Sequence, residues 1–348
     1  MSTSTSRSRA TGSHQPAGAG RVAVFAPAPV LVCTFEHPHD DADPDVALNV
    51  GGQGPWVARA VTAMGAQAIL VVPLGGDTGQ AAGHLLSAAR FEVRPVETRA
   101  GIACYVEERR RTGERTCIRD ARPGRFGQRE LDDLYSTALA AALEADVCVI
   151  TGSPWKDHVD DTLLTRLTDD LANLGRTTVA DLSGSQLDAA LAGGVDWLKV
   201  AHDELEDLDL GDLGDLHDAT DNGDAKDGDG EAEMWAAAER LATTGDRRRN
   251  VIVSRSGDDP ALALAEGRRF RVSTPNLTTV DSRGSGDAMT AALATGLAEG
   301  RPIEDLLRRA AAAGAANAVH KGSATPDVDL VDRLAATVDV AEVGADLG

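Results

Sequence analysis

Residues 21–32 form an apolar run interrupted by Pro27 and Pro29, which predicts a first strand running into a turn. Residues 37–44 are polar, and Val46-Ala47-Leu48-Asn49-Val50 reads as a short strand. Pro55 suits a first helical turn after Gly51-Gly52-Gln53-Gly54, and Trp56, Val57, Ala60, Val61 and Met64 recur at helical spacing. Residues 69–74 predict a strand, after which Gly75-Gly76-Asp77-Thr78-Gly79 opens a helix ending near Arg90. Between residues 93 and 119 the extended runs are short. Two of them, 102–106 and 116–118, flank a turn at Thr112-Gly113 and read as hairpin material of a small sheet covering the main domain.

Beyond residue 130 the pattern alternates. Helices are predicted over 131–145 and 163–174, and strands over 147–150, 177–180, 197–200, 251–253 and 262–265. Long helices then start at Asp287 and Ile303. Strands alternating with helices of this length predict an α/β fold, with a mostly parallel central sheet flanked by helices.

Composition narrows the partners. A net charge of −21 over 348 residues argues against a nucleic-acid surface or an anionic membrane, and no apolar stretch is long enough for a membrane span. Arg109-Arg110-Arg111 and Arg247-Arg248-Arg249 are local basic clusters, readable as phosphate holders or as solvated turns. Cys33, Cys104, Cys117 and Cys148 lie in or beside apolar runs with no C-x-x-C pair, so buried free thiols in a reducing, cytoplasmic setting are expected. Residues 1–20 are rich in Ser, Thr, Gly and Ala and read as a disordered tail. Residues 203–233 hold fourteen acidic side chains against the single Lys226. That segment cannot bury enough surface to offset its ordering entropy and reads as a flexible acidic insertion.

The chemistry concentrates at Asp281-Ser282-Arg283-Gly284-Ser285-Gly286-Asp287. Small residues at a helix mouth let backbone N–H groups converge on an anion, and the helix end adds partial positive charge. A carboxylate there would repel a bound phosphate, yet it is well placed to take a proton from an attacking alcohol. The pattern points to phosphoryl transfer, with Asp287 as a base; the alternative is Asp287 as a helix cap. Gly51, Gly52 and Gln53 would bring backbone close to a small polar substrate, or simply make a tight packing turn. Asp77 could accept hydrogen bonds from substrate hydroxyls, and Arg283 either directs its charge towards a phosphate or points into solvent. No G-x-x-x-x-G-K-[ST] loop is present, nor an H-R-D or D-F-G set, nor a G-x-G-x-x-G turn after the first strand.

With these residues in view the chain resembles the PfkB or ribokinase-like carbohydrate kinases, and most nearly the branch of 1-phosphofructokinases and tagatose-6-phosphate kinases. Gly51-Gly52-Gln53-Gly54 with Val57-Ala58-Arg59-Ala60 resembles GGKGxNVARA, and Gly75-Gly76-Asp77-Thr78-Gly79 resembles GGDTG. Thr151-Gly152-Ser153-Pro154 is similar to SGSxP, Asp181-Leu182-Ser183-Gly184 to DTSG, and Gly284-Ser285-Gly286-Asp287 to GAGD. The resemblance implies a ribokinase-like domain over 21–338 with a small β-sheet lid drawn from about 44–50 and 93–119, and a tail over 339–348. It further implies ATP and Mg2+ as cofactors, Asp287 as the catalytic base, and Gly284, Ser285 and Gly286 as the anion hole. The nucleotide would lie near Ser254, Gly257, Asn317 and Gly322.

Departures from the family pattern fall on the acceptor side. Gln53 replaces the Lys of GGKG, Trp56 replaces its Asn, and Val30 stands where NPALD carries a sugar-binding Asp. KPNxxE is altered to Lys199-Val200-Ala201-His202-Asp203-Glu204. Its surviving Glu204 either orients Mg2+ or is one more solvated carboxylate. The implied acceptor is a hydroxyl of a sugar or sugar phosphate, with fructose 1-phosphate the nearest by resemblance. The alternatives are an unphosphorylated sugar or nucleoside, and a ligand-binding homologue with weak transfer. A homodimer through the exposed small sheet is a further expectation.

Overall fold

The computed structural model describes residues 19–37, 43–109, 115–155, 158–206, 229–245, 247–255, 257, 259–320 and 325–344. Its centre is β1 (Arg21–Phe25), flanked in parallel by β4 (Gln67–Gly75) and β8 (Val147–Thr151). On one side β4 pairs in parallel with β5 (Glu92–Thr98). On the other, β9 (Thr177–Asp181), β10 (Trp197–Ala201) and β11 (Asn250–Ser254) continue in parallel. Then β12 (Ala261–Ala265), β13 (Arg268–Val272) and β14 (Val340–Val343) follow antiparallel. The result is a mixed ten-stranded sheet.

The inner strands are apolar on both faces because helices cover both. Alternate residues of β1 feed two separate cores: Val22 and Val24 join one, Ala23 and Phe25 the other. The first core contains α1 (Gln53–Ala63), α8 (Ser285–Ala298) and α9 (Ile303–Ala318), whose alanines let α8 and α9 pack closely. The second contains α3 (Gln128–Leu143), α4 (Asp161–Asn173), α5 (Gly184–Gly193) and α7 (Asp229–Thr243). Strand order reverses between β1 and β8, and such a switch point opens a crevice at the carboxyl ends of the strands.

A second, four-stranded sheet stands over that edge in the order β3-β2-β6-β7. It contains β2 (Val30–Glu36), β3 (Asp45–Gly51), β6 (Ala103–Arg109) and β7 (Arg115–Ala121). The expected hairpin is β6–β7, with a register irregularity at Val106/Glu107. Two assignments made from sequence change. Residues 93–98 are the edge strand β5 of the large sheet, where Pro95 is tolerated, and β2 takes a place in the lid instead. Residues 340–343 form β14 on the opposite edge of the large sheet rather than a tail. Both strands lie at edges of the large sheet, so their partners are set by tertiary contact.

Residues 202–206 form α6 (His202–Glu206), and α7 begins at Asp229, inside the span read as an acidic insertion. Residues 207–228, most of residues 1–20, and Arg110 and Arg111 lie outside the described residues. All four cysteines are free thiols, but only Cys148 is fully buried; Cys33 and Cys104 are half-buried and Cys117 is exposed on β7. Burial pushes the Cys148 thiol up to about 12. Among the described residues no helix is long and apolar enough to cross a membrane.

Candidate active site

Helix α8 begins directly after Gly284, whose φ of 79° lies in the left-handed region that suits glycine. The turn is closed by Ser285 N–H to the Ser282 carbonyl at 3.1 Å and by Ala288 N–H to the Gly284 carbonyl at 2.8 Å. The first-turn N–H groups of any helix have no partner within it, so this turn offers donors beside Asp287. Asn317 on α9 is buried and braces the turn, donating to the Arg283 carbonyl at 2.8 Å and the Ser285 hydroxyl at 3.4 Å.

Asp287 is 9% exposed. Burial, reinforced by the negative charge of Asp181 and opposed by Lys199, pushes its carboxyl up to about 8. Lys199 comes from β10 and Asp181 from the end of β9, where the two residues are register partners. The ammonium donates to Asp181 Oδ1 at 3.2 Å, and Thr290 Oγ1 on α8 donates to Asp181 Oδ2 at 2.7 Å. Burial works against the Lys199 charge, yet the carboxylates of Asp181, Glu204 and Asp287 outweigh it and hold the ammonium above its usual range. A buried cation is therefore fixed against the mouth of α8.

The approach is tight. A Cβ on Gly286 would stand 2.8 Å from Lys199 Nζ. Gly286→Ala is expected to push that ammonium aside and lower turnover on the order of 10²-fold, with the fold retained. Steady-state kinetics alongside a circular-dichroism melt check this.

The other expected residues are placed as follows. Gly51 ends β3, and Gly52 lines a cavity of ≈ 820 Å³ beneath the small sheet. Gln53 opens α1, and its side-chain oxygen accepts from the Gly152 N–H at 3.2 Å, tying α1 to the end of β8. Asp77 is exposed in the first turn of α2 (Gly76–Leu86) and does not line that cavity. Arg283 does line it. Glu204 accepts from the Ala201 N–H at 2.8 Å, and burial raises its carboxyl. Ser254, at the carboxyl end of β11, donates to the Val200 carbonyl at 3.3 Å. Gly257 is exposed with a φ of 73°, and Gly322 lies outside the described residues.

Arg59, Arg109, Arg115 and Arg283 line the cavity together with Glu36 and Glu107. Of these, Arg115 and Glu107 were not singled out from the linear sequence. Tyr105, Glu107 and Arg109 share one face of β6 by the period of two, which was the available signal. Of the second basic cluster, Arg249 is buried and donates to the carbonyls of Leu241, Leu191 and Thr244. Arg247 donates to the carbonyl of Ala172. These two arginines cap helix ends at the opposite edge of the sheet.

The chain belongs to the pfkB family of carbohydrate kinases, matching the description "pfkB family carbohydrate kinase" over residues 31–329. Membership places it in a family of ATP-dependent kinases of sugars and sugar phosphates. It is 30% identical to the ATP-dependent 6-phosphofructokinase isozyme 2 of Escherichia coli over 279 residues, 78% of this chain and 82% of the relative. It is 29% identical to a tagatose-6-phosphate kinase of Staphylococcus epidermidis over 304 residues, 84% and 89% of the two chains. The fold matches the crystal structure of phosphofructokinase-2 from E. coli in complex with potassium at a TM-score of 0.74 and 24% identity, covering 91% of this chain and 99% of that one. It also matches a possible 1-phosphofructokinase from Thermotoga maritima at a TM-score of 0.75 and 16% identity, covering 93% and 100%.

Proposed function

We propose that this chain transfers the γ-phosphoryl group of ATP to a hydroxyl of a sugar or sugar phosphate held in the cleft beneath the small sheet, in the manner of a 1-phosphofructokinase. The observation that carries this reading is the buried carboxyl of Asp287 at the mouth of α8, within electrostatic reach of the Lys199–Asp181 pair. Asp287 orients the acceptor hydroxyl and takes its proton. The N–H groups of Gly284 and Gly286, with the Lys199 ammonium, hold the charge that develops on the transferring group, and Ser285, whose N–H closes the turn on the Ser282 carbonyl, shapes the loop. Thr290 and Asp181 fix the ammonium in place.

The residues present fit a magnesium nucleotide. Mg2+ keeps most of its waters and needs only one or two carboxylates, which Glu204 can supply beside Asp181. When bound, the ion neutralises phosphate charge. Ser254, Gly257, Asn317 and Gly322 are proposed to border the nucleotide, and of these Asn317 acts by bracing the anion loop. Closure of the small sheet would exclude water from the transfer.

The named relatives act on phosphorylated sugars, and four cleft arginines favour such an acceptor here. Gln53 favours an unphosphorylated one, because it removes a cation that would hold a phosphate. Val46 and Leu48 are exposed on the edge strand β3, which supports a homodimer through the small sheet.

An ADP-release screen with Mg-ATP against free and phosphorylated sugars and nucleosides tests the reading. Acceptor-dependent release at least about tenfold above the acceptor-free rate is expected. Ligand-dependent thermal stabilisation with no acceptor-dependent release would reassign the chain as a sensor.

A further inference from the structure

In the register of the β6–β7 hairpin, Arg109 stands directly opposite Arg115. Like charges at directly opposed positions repel unless an anion lies between them. Burial and the cations of Arg283 and Arg109 lower the Arg115 guanidinium below its usual range, against the pull of Asp281 and Glu107. Glu107 is the resident anion. It is 7% exposed, lies where the hairpin register shifts opposite the extra residue Ile118 of β7, and accepts from the Thr34 hydroxyl at 3.2 Å. Its carboxylate lies 3.1 Å from Arg115, 3.5 Å from Arg283 and 3.8 Å from Arg109. Asp281, six residues before Asp287, pairs with both Arg115 and Arg283. The guanidiniums that an anionic acceptor would use are thus already engaged by carboxylates anchored to a strand and to the anion loop.

We propose that Glu107 is a specificity-determining residue of the acceptor cleft: a built-in carboxylate that competes with an anionic acceptor for Arg115 and Arg283, and so biases the cleft towards uncharged sugars. It acts through charge. A phosphate entering the cleft would have to share two guanidiniums with Glu107 and would be repelled by it at close range, whereas a neutral polyol meets no such opposition. The kinetic part of this inference rests on the kinase reading; the binding part does not.

The test uses Glu107→Gln, which keeps the shape and the acceptor oxygen for Thr34. Glu108→Gln is the control: it removes one equal charge from the adjacent residue of β6, which points to the other face of the strand and pairs with His37. Calorimetry with inorganic sulfate is expected to show at least about tenfold tighter binding to E107Q than to the wild type, and no gain for E108Q. Adding Arg115→Ala to E107Q is expected to abolish the gain. With acceptors, kcat/KM for a phosphorylated sugar relative to its unphosphorylated counterpart should rise about tenfold or more in E107Q, chiefly through KM. Should E107Q fail to fold, Glu107→Thr offers a strand-favouring hydroxyl beside Thr34 and carries the same expectation. Sulfate affinity within about twofold of the wild type, or an equal gain in E108Q, would overturn the proposal. If no sugar is phosphorylated by any variant, the kinase reading fails while the sulfate result still decides the role of Glu107.

Discussion

Replacing Asp287 by Asn is expected to lower acceptor-dependent ADP release by about 10²–10⁴-fold and, near pH 8, to raise the melting temperature. Both effects have one cause. The carboxyl is buried beside Asp181, and its pKa is raised from 3.8 to about 8. Because the folded pKa exceeds the unfolded value, the folded state binds more protons between these limits. The stability that the protonated form gives is fully present below about 4 and is lost as pH rises through about 8. Asparagine carries no such dependence. The variant should therefore gain stability over the wild type as pH increases from 5 to 8, as melts across that range would show. Activity runs the other way, since a base must be ionised. The wild-type kcat/KM should climb with pH along a limb centred near 8 for the free enzyme, and the residual activity of the variant should lack that limb. Turnover of Asp287→Asn within a few-fold of wild type would remove the proton-transfer role. Unchanged stability would mean that burial does not raise this carboxyl.

Lys199→Met is expected to give the largest loss of stability, about 3–5 kcal/mol, because it leaves the buried Asp181 carboxylate without its cation. Lys199 and Asp181 are both buried, so screening by solvent does little to soften the change. Thr290 would still donate to Asp181, but one neutral hydroxyl does not replace an ammonium. Urea unfolding of the variant beside the wild type measures the difference. Activity should fall on the order of 10²–10³-fold, since the cation beside Gly286 is lost. Asp181→Asn combined with Lys199→Met should recover most of the stability and none of the activity. Recovery of both would confine Lys199 to a structural role.

The parts of the site that were legible in the sequence are the contiguous ones. Gly284, Ser285, Gly286 and Asp287 lie in one turn, and a turn's chemistry follows from its residues alone. Gln53 and Asn317 were noticed by motif, yet the structure turns both towards neighbouring backbone: Gln53 to Gly152, Asn317 to the Arg283 carbonyl. Asp77 sits in a recognisable helix opening but outside the arginine-lined cavity. Spacing cannot say which way a side chain faces once its element is docked.

The alternation of apolar strands and amphipathic helices determined by itself that this chain folds as an α/β domain, and the glycine-rich turn at 284–286 marked the candidate site. Only the tertiary structure decided the strand order that sets Lys199 beside Asp181, and the hairpin register that sets Arg109 against Arg115 around Glu107. The physical reason is range. Backbone conformation and burial preference are local properties written residue by residue, whereas the pairing of charges on different strands depends on which strands lie side by side and in what register, and that is settled by packing the whole core.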